Sequence, residues 1–255
     1  MFKKVRIAIL LLILINVGVG AWLTRARTTS WERPLRVAVF PIAADASPAT
    51  GGYIAALTTE TFASVDDFFR EEGKRYGLTL SHPVEVRVAH RVDGLPPPPP
   101  YGESGLSVLL WSLQMRFWAW QHGEVEGPAP HVRMFVIFHD PKLSTTVPHS
   151  LGLQKGLIGV VHAFASEEQT AQNKVVVAHE LLHTVGATDK YDPATNLPVF
   201  PDGYGDPDQQ PLLPQRFAEI MAGRVAVSKT EAEMPANLGA VLVGTATARE
   251  INWVR

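Results

Sequence analysis

Hydrophobic positions along this chain change their spacing several times, and each change marks an element. Residues 35–43, LRVAVFPIA, form a Val- and Ile-rich run that stops at polar, Pro-containing sequence, which predicts a buried strand. Over 54–76 the apolar residues Leu57, Phe62, Val65, Phe68 and Phe69 recur at helical spacing and Gly77 follows as a stop, so one helix is expected. VEVRVAH (84–90) alternates and reads as a second strand. Five consecutive prolines, Pro96 to Pro100, then predict a stiff extended spacer. Residues 107–121 are apolar nearly all round, which predicts a helix buried on most sides. A helix resting on a membrane is disfavoured there, because Arg116 is its sole basic residue. VRMFVIFHD (132–140) predicts a central strand, and GLIGVVHAFA (156–165) a fourth whose glycines suit an edge. Ser166, Glu167 and Glu168 open a further helix with charges that match its dipole. From Ala187 the chain is rich in loops.

Strands alternating with helices imply an α/β (α+β) fold, with a twisted, mostly parallel sheet, an antiparallel edge strand and a small loop-rich C-terminal lobe. A length of 255 residues with 46% hydrophobic content suits one domain of two lobes. The expected division is an N-terminal segment (1–29) and a globular domain (30–255), itself split into 30–186 and 187–255. A net charge of −2 argues against nucleic acid as a partner, since phosphate binding needs a basic face. Having no cysteine, the chain has neither disulfides nor thiolate chemistry. Lys3, Lys4 and Arg6 precede an apolar run over 7–23 that Arg25 and Arg27 close. Such a run is short for a membrane anchor, where roughly 17–25 residues span a bilayer, and long for a cleaved signal. Either reading places the remainder outside the cytoplasm, membrane-anchored (periplasmic or at the cell surface) or secreted if the segment is cleaved. A monomer is expected.

The chemistry concentrates in AHELLHTVGATDKYD (178–192). On a helix, His179 and His183 stand on one face, where two imidazoles can take two corners of a zinc tetrahedron. Glu180 can then reach a water held at another corner. Gly186 falls where the helix would end in a left-handed residue, and the chain turning back there lets Asp189 swing towards the same metal. Glu219, Asp192, Asp202 and Asp206 are alternative third ligands.

His179-Glu180-x-x-His183-x-x-Gly186-x-x-Asp189 resembles the long zinc signature of the metzincin metallopeptidases, and Asp in the third place is similar to their snapalysin branch. Asp189-Lys190-Tyr191 resembles the Asp-x-Tyr of that branch, and residues 218–223, AEIMAG, look like the Met-turn, with Met221 as its methionine. The resemblance implies a zinc endopeptidase acting on peptide or protein substrates. Glu180 would serve as general base and Tyr191 as a candidate donor to the oxyanion. The chain departs from the family pattern in its long Pro-, Asp- and Gly-rich segment 192–217, and in Gly223, where some members carry tyrosine.

An edge strand containing Gly159, Val160 and Val161 is expected to pair with an extended substrate. The acidic loop PDGYGDPDQQ (201–210) could hold calcium but lacks EF-hand spacing, so a solvated turn is preferred. His139 with Asp140, and His162, read as strand-end residues rather than ligands. Thr247 and Glu250 have the spacing of a capping box for a last short helix that carries Ile251 and Trp253. Two other functions fit the same residues, a metal-dependent amidase acting on cell-wall peptides and a membrane-tethered binding protein with a structural zinc.

Overall fold

The computed structural model describes Arg6, residues 28–100 and residues 105–254. The apolar run over 7–23, read above as an anchor or signal, lies outside the described residues. Among those described, no helix is long and apolar enough to cross a membrane.

Strands β1 (Leu35–Ala43), β2 (Val84–Val88), β3 (Val132–His139), β4 (Leu151–Leu153) and β5 (Ile158–Phe164) form one sheet in the order β2-β1-β3-β5-β4. All neighbours pair in parallel except β4, which runs antiparallel along β5. The fold is therefore α/β with a mostly parallel sheet and an antiparallel edge. Parallel strands covered on both faces need apolar residues at nearly every position, as in β1 and β3, where most positions are buried.

Helices α1 (Pro48–Ala56), α2 (Ala63–Arg75) and α4 (Thr170–Val185) join one core with Val37, Val39, Met134, Val136 and Val161. Helix α3 (Gly105–His122) covers the other face, where Met115 and Ala119 meet Phe40, Phe135 and Ile137. The C-terminal lobe contributes Ile220, Met221, Val241 and Val243 to the first core, so it belongs to the face that carries α4. That lobe is built from short pairs, β6 (Ala218–Glu219) with β9 (Val241–Leu242) and β7 (Val225–Ala226) with β8 (Ala232–Glu233), and ends in α5 (Thr245–Glu250).

The sequence expectations need five corrections. Helix α4 starts at Thr170 rather than Ser166, so Glu167 and Glu168 lie in the preceding turn and no acidic residue stands in the helix's first turn. The single helix over 54–76 is two helices, because the chain is extended at Leu57 and Thr58 before a 3-10 turn at Thr59–Phe62. The Thr58 amide donates to Thr61 Oγ1, a local bond of the kind by which threonine competes with helix propagation. The segment with Gly159, Val160 and Val161 is an interior strand, not the edge. It pairs with β3 on one side and β4 on the other, all three residues are buried, and a Cβ at Gly159 would overlap Met134. Helix α3 is not buried on most sides, since Leu106, Leu110, Leu113, Phe117 and Trp120 are each more than half exposed. Finally, Thr247 does not cap a helix. α5 starts at Thr245 after Gly244, and the Thr247 hydroxyl donates instead to Glu219.

The true edge, β4, lies directly on α4. A Cβ at Gly152 would stand 2.4 Å from the Glu180 carbonyl oxygen and 2.5 Å from His183 Cβ, so only glycine permits this approach. Gly152→Ala should therefore lower stability by about 1–3 kcal/mol through overpacking, read as a reduced denaturant midpoint at unchanged slope. A midpoint equal to wild type would mean the two elements are not in contact.

Candidate metal centre

Residues Val175 to Val185 of α4 are apolar on the core side, which fixes the rotation of the helix and sets His179 and His183 towards the C-terminal lobe. The helix ends at Gly186, whose φ of 111° lies in the left-handed region, and its amide donates back to Leu182 and His183. The backbone thereby reverses, and Asp189 comes to lie against both imidazoles. Asp189 Oδ1 is 3.2 Å from His179 Nε2 and 3.1 Å from His183 Nε2, while the two Nε2 atoms are 3.1 Å apart.

The other ring nitrogens are committed. His179 Nδ1 donates to the Ile220 carbonyl at 2.8 Å, and His183 Nδ1 donates to that of Ala187 at 2.9 Å. A carbonyl can only accept, so Nδ1 carries a proton in each ring and Nε2 is the nitrogen that each ring turns towards Asp189. Two such nitrogens, once stripped of any proton, and a carboxylate oxygen at this separation fit a divalent cation. Zinc bonds of roughly 2.0–2.2 Å give tetrahedral edges of about 3.3–3.6 Å, close to the spacing here. These three residues form the one group of His, Cys, Asp or Glu among the described residues that could hold a metal ion. The imidazole side chains are 13% and 17% exposed and Asp189 is 42% exposed, so the group opens to solvent on the carboxylate side.

Asp189 is fixed from both flanks. Lys190 is buried, and its Nζ donates to both Glu250 oxygens at 2.9 and 2.8 Å and to the Thr188 carbonyl at 2.7 Å. Thr188 donates its amide and its hydroxyl to the same glutamate. The Lys190 amide donates to the Met221 carbonyl. The AEIMAG turn thus holds His179 through Ile220 and the Asp189 segment through Met221. The turn is itself organised by Glu219, fully buried, whose carboxylate accepts from the amides of Met221, Ala222 and Gly244 and from Thr247 Oγ1. Glu219 is therefore not a ligand; its oxygens are already taken.

The remaining alternatives fall elsewhere. Asp192 and Asp206 accept amides within their own turns, from Ala194 and Asp208, and neither they nor Asp202 joins the cluster. Nothing in the 201–210 loop gathers a calcium site among the described residues. His139 Nε2, at the end of β3, and His162 Nδ1, within β5, lie 2.9 Å apart. Burial, then the charge of His139, pushes the pKa of His162 down to about 4. Asp140 accepts from Ser47 and from the Lys142 amide as a strand-end cap. Lys190, Thr188 and the second role of Glu250 were missed in the sequence, where nothing marks a pair 60 positions apart.

Glu180 is buried, and its Oε2 has no hydrogen-bond partner among the described residues. Burial raises its pKa above the usual carboxylate value, although the neighbouring His179 and His183 oppose this. Burial also raises the Tyr191 hydroxyl, and the charges of Asp189 and Glu180 raise it further, so Tyr191 stays protonated as a donor. Burial alone would lower His179, but the Asp189 hydrogen bond and the charges of Glu180 and Asp189 carry it up to about 9. Asp189 is held well below the usual carboxylate range by His179 and His183, against the effect of its burial.

No protein-family model and no curated protein matches the chain. Among solved structures it is similar to wild-type OgpA from Akkermansia muciniphila, with 11% identity and a TM-score of 0.37 over 84% of this chain. The chain spans 58% of the length of that protein.

Two outcomes follow from this geometry. A histidine whose folded pKa exceeds its unfolded value adds stability at low pH and loses it as the pH rises through the folded value. The metal-free protein should therefore lose thermal stability between pH 6.5 and about 9 through His179, and saturating zinc should flatten that slope. Equal slopes in melting curves with and without zinc would mean that the metal does not replace the His179 proton. Glu250→Gln should weaken metal affinity by roughly 10–100-fold while leaving the far-ultraviolet spectrum unchanged, measured by competition with a chromogenic chelator.

Proposed function

We propose that this chain is a metzincin-type zinc endopeptidase that hydrolyses peptide bonds outside the cytoplasm. The observation that carries the reading is Glu180, a buried carboxylate with one oxygen unpartnered among the described residues, set beside a cluster of three candidate ligands. A buried acceptor left unpaired costs stability unless it serves some purpose. A structural zinc would close its coordination with a fourth protein ligand, whereas three ligands leave a position for a reactant.

Zinc, when bound by His179, His183 and Asp189, supplies Lewis acidity that polarises a carbonyl and makes water a stronger acid. The protein's own part is proton handling and alignment. Glu180, its basicity raised by burial, takes a proton from water and delivers it to the leaving amine. Tyr191, protonated and bonded to Asp189, would turn its hydrogen bond to the oxyanion when substrate is present. Substrate is read by β4, not by the strand first expected. β4 ends the sheet, so its outer backbone groups face away from β5, and Gly152 holds it against the backbone of Glu180. An extended peptide added to that edge would run past the cluster.

The deciding experiment compares the wild-type chain with Glu180→Gln. The variant should bind zinc stoichiometrically and cleave fluorescent casein roughly 10²–10⁴-fold more slowly. Retained cleavage at full zinc content would remove Glu180 as the base, and a wild-type protein that binds zinc and cleaves no peptide would end the peptidase reading.

A further inference from the structure

Helix α3 is apolar on two faces, and the described residues cover only one. Met115 and Ala119 are buried against the sheet, with Trp111 and Trp118 packed beside them. On the opposite side Leu106, Leu110, Leu113, Phe117 and Trp120 follow one another at spacings of four and three, a continuous stripe along the helix. Exposed apolar surface of this extent on a soluble protein marks a contact with something else.

The geometry points to the interfacial layer of a lipid bilayer as that partner, with α3 lying along it; the inference rests on reading residues 7–23 as a membrane anchor. Three observations favour lipid. First, Thr28 lies five chain steps beyond Leu23, and a chain reaches at most about 3.6 Å per step, so an anchor would hold Thr28 within about 18 Å of the bilayer. Second, the chain enters the fold at the end of the sheet where α3 also ends, with Thr29 and Trp31 bonded to Asn252 and Ile251 of the C-terminal lobe. Thr28, Arg33 and His131 line one cleft, the Arg36 side chain donates to Ala129, and the Arg133 side chain donates to Gly123, the residue after α3. The aromatic end of the stripe, Phe117 and Trp120, is thus the end nearest the tether, where aromatic rings suit the lipid–water boundary.

Third, the sequence between the apolar run and the fold carries Arg25 and Arg27, and Arg33 is exposed where the chain enters, charges that suit anionic headgroups. The scarcity of basic residues on α3 weighs against recruitment from solution. A tethered helix needs no recruitment, because the linker sets its effective concentration at the surface. α3 and the candidate metal centre lie on opposite faces of the sheet, so a docked domain turns its cluster away from lipid. It would then act on chains in the aqueous layer beside the bilayer.

The absence of cysteine makes the test direct. Nitroxides are placed singly at Leu113→Cys, Phe117→Cys and, as a control on the C-terminal lobe, Lys229→Cys. The full chain is reconstituted in phosphatidylcholine–phosphatidylglycerol vesicles, and oxygen is compared with a nickel chelate as relaxant. At positions 113 and 117 the ratio of oxygen to nickel accessibility should exceed that at 229 several-fold. Equal ratios in protein that floats with the vesicles would overturn the docking and leave the anchor intact. Line broadening at 113 that disappears on dilution with unlabelled protein would assign the stripe to a second copy and overturn lipid docking. Failure to float with vesicles would overturn the anchor and the docking together.

Discussion

A carboxylate six residues beyond the second histidine can meet both imidazoles only if the chain leaves their helix abruptly and comes back. Gly186 makes this possible, with a φ of 111° that an L side chain adopts at a cost of roughly 1–2 kcal/mol. Backbone conformation rather than space sets this constraint, since the atom nearest an added Cβ, the Gln154 side-chain nitrogen at 2.7 Å, ends a flexible exposed side chain. Any residue that continued the helix would carry Asp189 away from His179 and His183. The cluster is thus a property of backbone direction first and of ligand chemistry second.

Backbone direction alone leaves a loose loop, and the C-terminal lobe removes that freedom. Its two anchors are carboxylates far from the motif in sequence. Glu219 holds the AEIMAG turn from inside by accepting two of its amides, and that turn gives one carbonyl to His179 and another to the Lys190 amide. Glu250 holds the Asp189 segment through Lys190 and Thr188. Its pKa is lowered: burial opposes the charge, but the bonds from Lys190 and Thr188 outweigh it, so the pair is charged and mutually satisfied. Unpairing either partner would leave a poorly solvated charge beside the third candidate ligand. This gives the small lobe a reason to exist, since its short strands bury little by themselves but set the orientation of three groups.

The strands and the motif helix were legible because their signals are local. A Val-rich run, a helical spacing or a glycine three residues beyond a histidine can be read within one window. Three features were not. β4 has three residues, too short for alternation to declare itself, and its absence from the reading made β5 look like an edge. The break at Leu57 and Thr58 depends on a threonine hydrogen bond that competes with a strong apolar period on either side. Glu219 and Glu250 carried signals that pointed elsewhere, one as a possible ligand and one as a cap. Only tertiary contacts with Gly244, Thr247, Thr188 and Lys190 reveal their roles.

Helix α3 shows why an all-round apolar helix is an ambiguous signal. Such a sequence is usually enclosed by protein, and on that basis burial was the natural expectation. Enclosure needs a second layer of elements, however, and the chain places α1, α2, α4 and the whole C-terminal lobe on the other face of the sheet. Among the described residues nothing remains to cover the outer side of α3. The asymmetry has a chemical rationale. The face that carries the cluster needs depth to desolvate Glu180 and to fix three candidate ligands, and it receives every available element. The opposite face receives one helix among the described residues, whose outer stripe stays exposed. The sheet thus separates a polar, buried, tightly bonded side from an open apolar one, and each side sets what the other is free to do.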